Sequence, residues 1–170
     1  MNSRISAAEG HWFKAQAQSA PWHLVPDDAD LADADPVEVD GLYDHALSLY
    51  NHFYAAAPKQ VSVAKVSKVL HLMRPRLFPI LDSRLIAFYS TQAENIALEV
   101  AKQRPEFGHK RMNWAAIRSD ILRNRHPLVE LRVALRQSEA PLASQVAERV
   151  GDVRLLDMLA WDASGQPEAT

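Results

Sequence analysis

Apolar residues recur at three- and four-residue spacing along most of this chain, and no run alternates with period two. Leu42, Ala46, Leu49, Tyr50 and Phe53 make one stripe. Val63, Val66, Val69, Leu70 and Met73 make a second. Leu85, Ile86 and Tyr89 follow Asp82 at the same spacing. Thr91 to Glu94 has capping-box spacing and predicts a helix to about Arg104. Asn113 precedes Trp114, Ile117 and Ile121, and Pro127 precedes Leu128, Leu131 and Leu135. Pro141 opens a further helix that Gly151 closes, and the last runs from about Asp152 to Trp161. Residues 5–18 carry a weaker helical pattern. No hairpin turn and no fixed-period repeat is present. The expected fold is all-α: a single compact helical domain of about seven to nine helices.

The breaks are set by proline and short polar residues. Residues 19–34 hold Pro21, Pro26 and several aspartates and read as a loop. Asp35-Pro36-Val37-Glu38 reads as a helix start, with a capping carboxylate, a proline at the first helical position and a glutamate able to reach back. That helix runs to about Ala57, before Pro58. Arg74-Pro75 ends the next one, because proline pushes the preceding residue out of helical geometry. Arg76 to Leu81 is then extended between Pro75 and Pro79, and Pro105 and Gly108 break the chain again. The organisation follows: residues 1–34 are an N-terminal helix and acidic loop, 35–162 the helical domain and 163–170 a flexible tail. The order of residues 1–34 is left open.

Composition narrows the function classes. The 170 residues are 48% apolar and 24% charged, the profile of a globular chain long enough to bury a core. Zero cysteine excludes disulfides, thiolate metal sites and iron–sulfur clusters. No run of apolar residues is long enough to span a bilayer, and the first residues carry no secretory h-region, so a cytoplasmic protein without a membrane partner is expected. The seven histidines (His11, His23, His45, His52, His71, His109 and His126) lack zinc-helix spacing, and Ser62 and Ser67 lack a nucleophile elbow. No Gly-rich phosphate loop is present, and no cofactor or metal is implied. Charge is unevenly placed. Asp27, Asp28, Asp30, Asp33, Asp35, Glu38, Asp40 and Asp44 occur with no Lys or Arg between them, whereas residues 59–136 carry fifteen bases and six acids. Such asymmetry marks either a polyanion-binding surface or helices solvated by arginine.

The densest chemistry lies in Val61 to Arg84: a helix with Lys65 and Lys68, a proline-bracketed connector, and Asp82 heading a new helix. With the helix before it and the loop Pro58-Lys59-Gln60, this makes helix, short loop, helix. The segment resembles the core of the helix-hairpin-helix DNA glycosylases. By that resemblance Asp82 matches the family's aspartate, and Lys65 lies one residue from its lysine, with Lys68 as the other candidate. The chain is also similar, over about residues 40–161, to a bacterial family of unknown function. The shared features are the Lys-Val-Leu…Arg-Pro-Arg-Leu…Pro-Ile…Asp core and the stretch Val153 to Trp161. The sequence departs from the glycosylases at Ala57 to Val63, where no glycine eases close approach of backbone amides to a phosphate.

Each candidate has a second reading. Asp82 is a carboxylate facing a reacting sugar, or an ordinary N-cap. Lys65 and Lys68 are a nucleophilic amine and a phosphate contact, or a solvated helix face. Arg74, Arg76 and Arg84 contact phosphates, or pair with the acidic segment. Phe78, Tyr89 and Trp114 are candidate walls of a base pocket. Asp157 is a partner for a basic residue, and Trp161 a core or lid aromatic. Three functions are therefore carried forward. The first is a nucleic-acid-associated protein on a degenerate glycosylase-like scaffold, with DNA as partner. The second is a non-catalytic interaction or regulatory module. The third is an active base-excision glycosylase or lyase using Asp82 and Lys65.

Overall fold

The computed structural model of the chain describes residues 4–107 and 112–164. Gly108 and His109 lie outside the described residues. Among these, nine α-helices and three short 3-10 turns form a single compact domain, with no strand. The helices are α1 (Ala7–Ser19), α2 (Leu42–Ala55), α3 (Val63–Met73), α4 (Ser83–Phe88), α5 (Ser90–Gln103), α6 (Asn113–Arg123), α7 (Arg125–Gln137), α8 (Ala143–Arg149) and α9 (Asp152–Ala163). No helix among the described residues is long and apolar enough to cross a membrane.

The predicted stripes face inward for the most part, with Met73 at the end of α3 exposed. Leu49 and Phe53 of α2 and Val66 and Leu70 of α3 are fully buried, and the two helices pack on each other. At the centre, α6 buries Trp114, Ala115, Ala116, Ile117 and Ile121, and packs against α5, α9 and the 3-10 turn Leu31–Asp33. The ring of Trp114 meets those of Tyr43, Tyr50 and Phe78 edge-on, with centroids 6.2, 5.3 and 5.2 Å away. The N-terminal segment belongs to the same core, because Phe13, Val25, Leu31 and Ala34 are buried in it.

After the exposed Pro75 and Arg76, the connector enters the interior at Leu77. Leu77, Phe78 and Pro79 are almost wholly inaccessible. A buried non-helical segment must find partners for its peptide groups, and several are supplied by the surrounding fold. Leu77 and Phe78 donate to the Arg74 carbonyl, Leu31 donates to the Arg76 carbonyl, and the Phe78 carbonyl accepts from His71 Nδ1 at 2.7 Å. Ile80 donates to the Asp157 side chain at 3.0 Å.

Several boundaries differ from expectation. The helix expected from Asp35 begins at Leu42. Asp35 accepts from the Val37 amide only two residues on, an Asx turn rather than a cap, and Asp40 sits at φ 54 in the left-handed region. Gly151 precedes α9 as its N-cap instead of closing α8. Thr91 lies within α5, which starts at Ser90 directly after α4. A reciprocal capping box joins Ser6 and Glu9 at the start of α1.

Candidate functional site

Helix α3, the connector, the start of α4 and helix α9 leave a cleft of about 570 Å³ between them. Ile80, Leu85 and Met158 give it apolar walls. Lys68, Asp82, Arg154 and Asp157 give it charge, and Trp161 and Asp162 lie along the α9 side. Trp161 is about half exposed, and the Arg84 guanidinium lies 4.2 Å from its ring centroid.

Asp157 is placed by the periodicity of α9. It sits four residues after Val153 and three before Ala160, both buried, so the helix turns the carboxyl inward. Only 4% of the residue is exposed. Oδ2 accepts from the Ile80 amide, and Arg154 Nη1 lies 3.8 Å from that oxygen. Oδ1 is buried and has no hydrogen-bond partner among the described residues. Burial pushes the carboxyl up to about 7, and the charge of Asp82 acts in the same direction, against the Ile80 amide and Arg154. Asp82 is a half-buried N-cap whose Oδ1 accepts from Leu85 N at 2.9 Å. Two carboxyls with different surroundings thus share one cleft with two cations. This arrangement can hold and transfer a proton at a bound ligand.

The other residues singled out by sequence fall as follows. Lys68 and Asp82 meet in the cleft, and Arg84 covers the Trp161 ring beside it. Lys65 does not line the cleft. Its Nζ is 2.5 Å from Glu9 Oε1, with the lysine side chain 14% and the glutamate 3% exposed. The Lys65 hydrogen bond and the Ser6 amide hold the Glu9 carboxyl below its usual range. Arg74 is buried, donates to the carbonyls of Val25 and Met73, and pairs with Asp27 at 2.6 Å. Arg76 grips Asp30 through two nitrogens at 3.0 and 2.8 Å. Arg104–Asp44 and Arg118–Asp35 extend the pattern. The acidic front segment therefore pairs with four of the fifteen bases of residues 59–136. Phe78, Tyr89 and Trp114 are buried in the core. His52 Nε2 lies 3.0 Å from the Gln16 carbonyl, and no group of acids and histidines among the described residues could hold a metal ion.

Sequence reasoning gave Arg154 no role and Asp157 only that of an ion-pair partner. The signal was available: an aspartate at a stripe position of an amphipathic helix is out of place unless something there uses it.

The chain matches the model of a family of unknown function, DUF6308, over residues 10–164, and belongs to that family. No curated protein and no solved structure matches it.

Proposed function

We propose that this member of a family of unknown function is a nucleic-acid-associated protein, and that it works through the cleft between α3, α4 and α9, where it holds one base with its phosphate. The observation that carries this reading is the meeting of two carboxyls, Asp82 and Asp157, with Lys68 and Arg154 between apolar walls in one cleft. A base edge, with hydrogen-bonding atoms in a flat ring, is a fitting complement. Apolar walls and the Trp161 ring suit a planar ligand, and Lys68 and Arg154 of the cleft, with Arg84 over the Trp161 ring, are taken as the contacts of its phosphate. The resemblance of Val61 to Arg84 to the helix-hairpin-helix glycosylases points the same way. Lys65, Arg74 and Arg76 are assigned to the fold, because Glu9, Asp27 and Asp30 engage them.

The test is fluorescence anisotropy of labelled single strand, duplex and abasic duplex over a salt series, with a nucleoside monophosphate as competitor. Salt-sensitive binding is expected, weakened by Lys68→Ala combined with Arg154→Ala, with a salt slope smaller by about 1 per phosphate contact removed. Competition by the monophosphate would make a free nucleotide the ligand. Base release that stops in Asp82→Asn would extend the reading to excision. A wild-type protein that binds none of these at low salt removes the proposal. That result would favour a protein-interaction module, a reading supported by the acidic segment already clamped onto Arg74, Arg76, Arg104 and Arg118.

A further inference from the structure

We infer that the Arg84–Trp161 pair is a stacking clamp for one unpaired base, so that the cleft takes single-stranded nucleic acid in preference to intact duplex. This rests on the reading that the cleft binds nucleic acid. Trp161 is the most exposed of the four tryptophans: Trp114 is buried, Trp12 and Trp22 are half-buried, and Trp161 is 52% exposed. Tryptophan is highly buried on average, so a ring left open beside a cleft has apolar surface to offer a ligand. The Arg84 guanidinium lies over that ring, 4.2 Å from its centroid. Trp161 lines the cleft and Arg84 does not, so the guanidinium takes one face of the ring and the cleft meets the remainder.

Arg84 also differs from other arginines of the fold in what its charge meets. Arg74, Arg76, Arg104, Arg118 and Arg132 each engage an aspartate. Arg84 forms no ion pair and donates no hydrogen bond among the described residues. Its planar fork is thus oriented by the ring and left open to an anion. On α9, Arg154 precedes Trp161 by seven residues, two turns or about 10 Å along the axis, and lines the same cleft. A base on the ring therefore has two cations near it to meet the flanking phosphates. The cleft volume of about 570 Å³ is that of a small-ligand pocket, which suits one nucleotide and not a length of duplex. In a duplex both faces of each base are covered by its neighbours, and freeing one costs unstacking and unpairing, most of which a single strand escapes. Every base has a π-face, so the clamp selects strandedness and tolerates sequence.

The experiment follows binding of a mixed-sequence single-stranded oligonucleotide, and of the same sequence as a duplex, by anisotropy of an end label and, without the label, by tryptophan emission. Wild type is expected to bind the single strand more tightly, with emission quenched as a base stacks on Trp161. Trp161→Ala is expected to weaken single-strand binding by about 5- to 150-fold. Trp161→Phe keeps a ring, so it should retain most of the affinity while losing the quenching. Arg84→Ala should make the salt slope smaller by about 0.7, the value of one phosphate contact on a single strand. If the single strand binds and Trp161→Ala holds it as tightly as wild type, the inference is wrong and the cleft reading stands on Lys68 and Arg154. Duplex bound as tightly as single strand has the same meaning. If wild type binds neither, both fail. Should Trp161→Ala not fold, the emission decides: binding that quenches wild type no more than Trp161→Phe overturns the inference.

Discussion

Arg104 decides how firmly the acidic segment is held. It caps the end of α5 and is 7% exposed. Its Nη1 donates to both oxygens of Asp44 at 3.0 Å and to the Glu38 carbonyl at 2.9 Å, and its Nε to Glu106 at 2.7 Å. The guanidinium carbon lies 4.4 Å from the Phe107 ring centroid. Arg104→Ala removes all of these at once, leaving Asp44 and a carbonyl facing a gap. Breaking a buried pair costs about 3–5 kcal/mol. The Asp44 side chain keeps 19% of its exposure, so water can reach it and the expected loss is about 2–3 kcal/mol. For a domain of this size that lowers Tm by about 4–12 °C. Urea unfolding should show a lower midpoint at unchanged m, since the same surface is still exposed on unfolding. Arg104→Lys should lie between, because an ammonium keeps the charge but not the fork. A double-mutant cycle with Asp44→Ala should return a coupling above about 1 kcal/mol. A loss below about 0.5 kcal/mol for Arg104→Ala would refute the reasoning and make the acidic segment a loosely held flap, able to expose the bases beneath it.

The remaining predictions concern the cleft and the core. Asp157 has its folded-state pKa raised, so the penalty for ionising it in the fold is absent below about pH 4, grows as pH rises and levels off above about 7. At about 1.4 kcal/mol per unit the ceiling is about 4 kcal/mol, and Asp157→Asn should flatten this decline when stability is followed by urea unfolding from pH 4 to 8. An equal slope in both proteins would place the titration elsewhere. His71 works in the opposite sense: burial lowers its pKa, so its contribution is complete above pH 6.5 and fades as pH falls. Asp82→Ala should cost about 1 kcal/mol and Asp82→Asn much less, since asparagine also caps, so loss of binding or turnover in Asp82→Asn at unchanged Tm would isolate a functional carboxylate. Leu49→Ala, at a fully buried site, should cost about 2–5 kcal/mol by thermal or chemical unfolding.

The helices of this fold are legible where one face alone is apolar. The stripes of α2 and α3 contain the buried Ala46, Leu49, Phe53, Val66 and Leu70, since a one-sided pattern at helical spacing has one way to be covered, though Met73 stays exposed. The start of α2 was not legible, because aspartate followed by proline suits an Asx turn as well as a cap. The choice falls to Asp40 and Gly41, whose backbone turns the chain into the helix. The reverse happened at α1, where the pattern is weak but Ser6 and Glu9 form a full capping box. Glu9 could be read as its second half, yet its other oxygen meets Lys65, fifty-six residues away, a contact that no local spacing announces.

The same separation of local from distant information explains the site. A surplus of bases in residues 59–136 is a sum along the chain, and a binding surface is a sum over space. Asp27, Asp30, Asp35 and Asp44 close on Arg74, Arg76, Arg118 and Arg104. Four of the fifteen bases in that stretch are thus engaged within the fold by the acidic segment. Asp82 and Lys68 were legible because the connector and the α3 face carry them in one stretch, and the cleft keeps them together. Asp157 comes from the far end of the chain, seventy-seven residues beyond the amide it holds. Only its inward position on α9 marks it. An acid on the buried stripe of a helix must be neutralised, hydrogen-bonded or put to use. Ile80 meets half of that demand, and burial meets the rest by favouring the neutral acid, with the carboxyl pushed up to about 7.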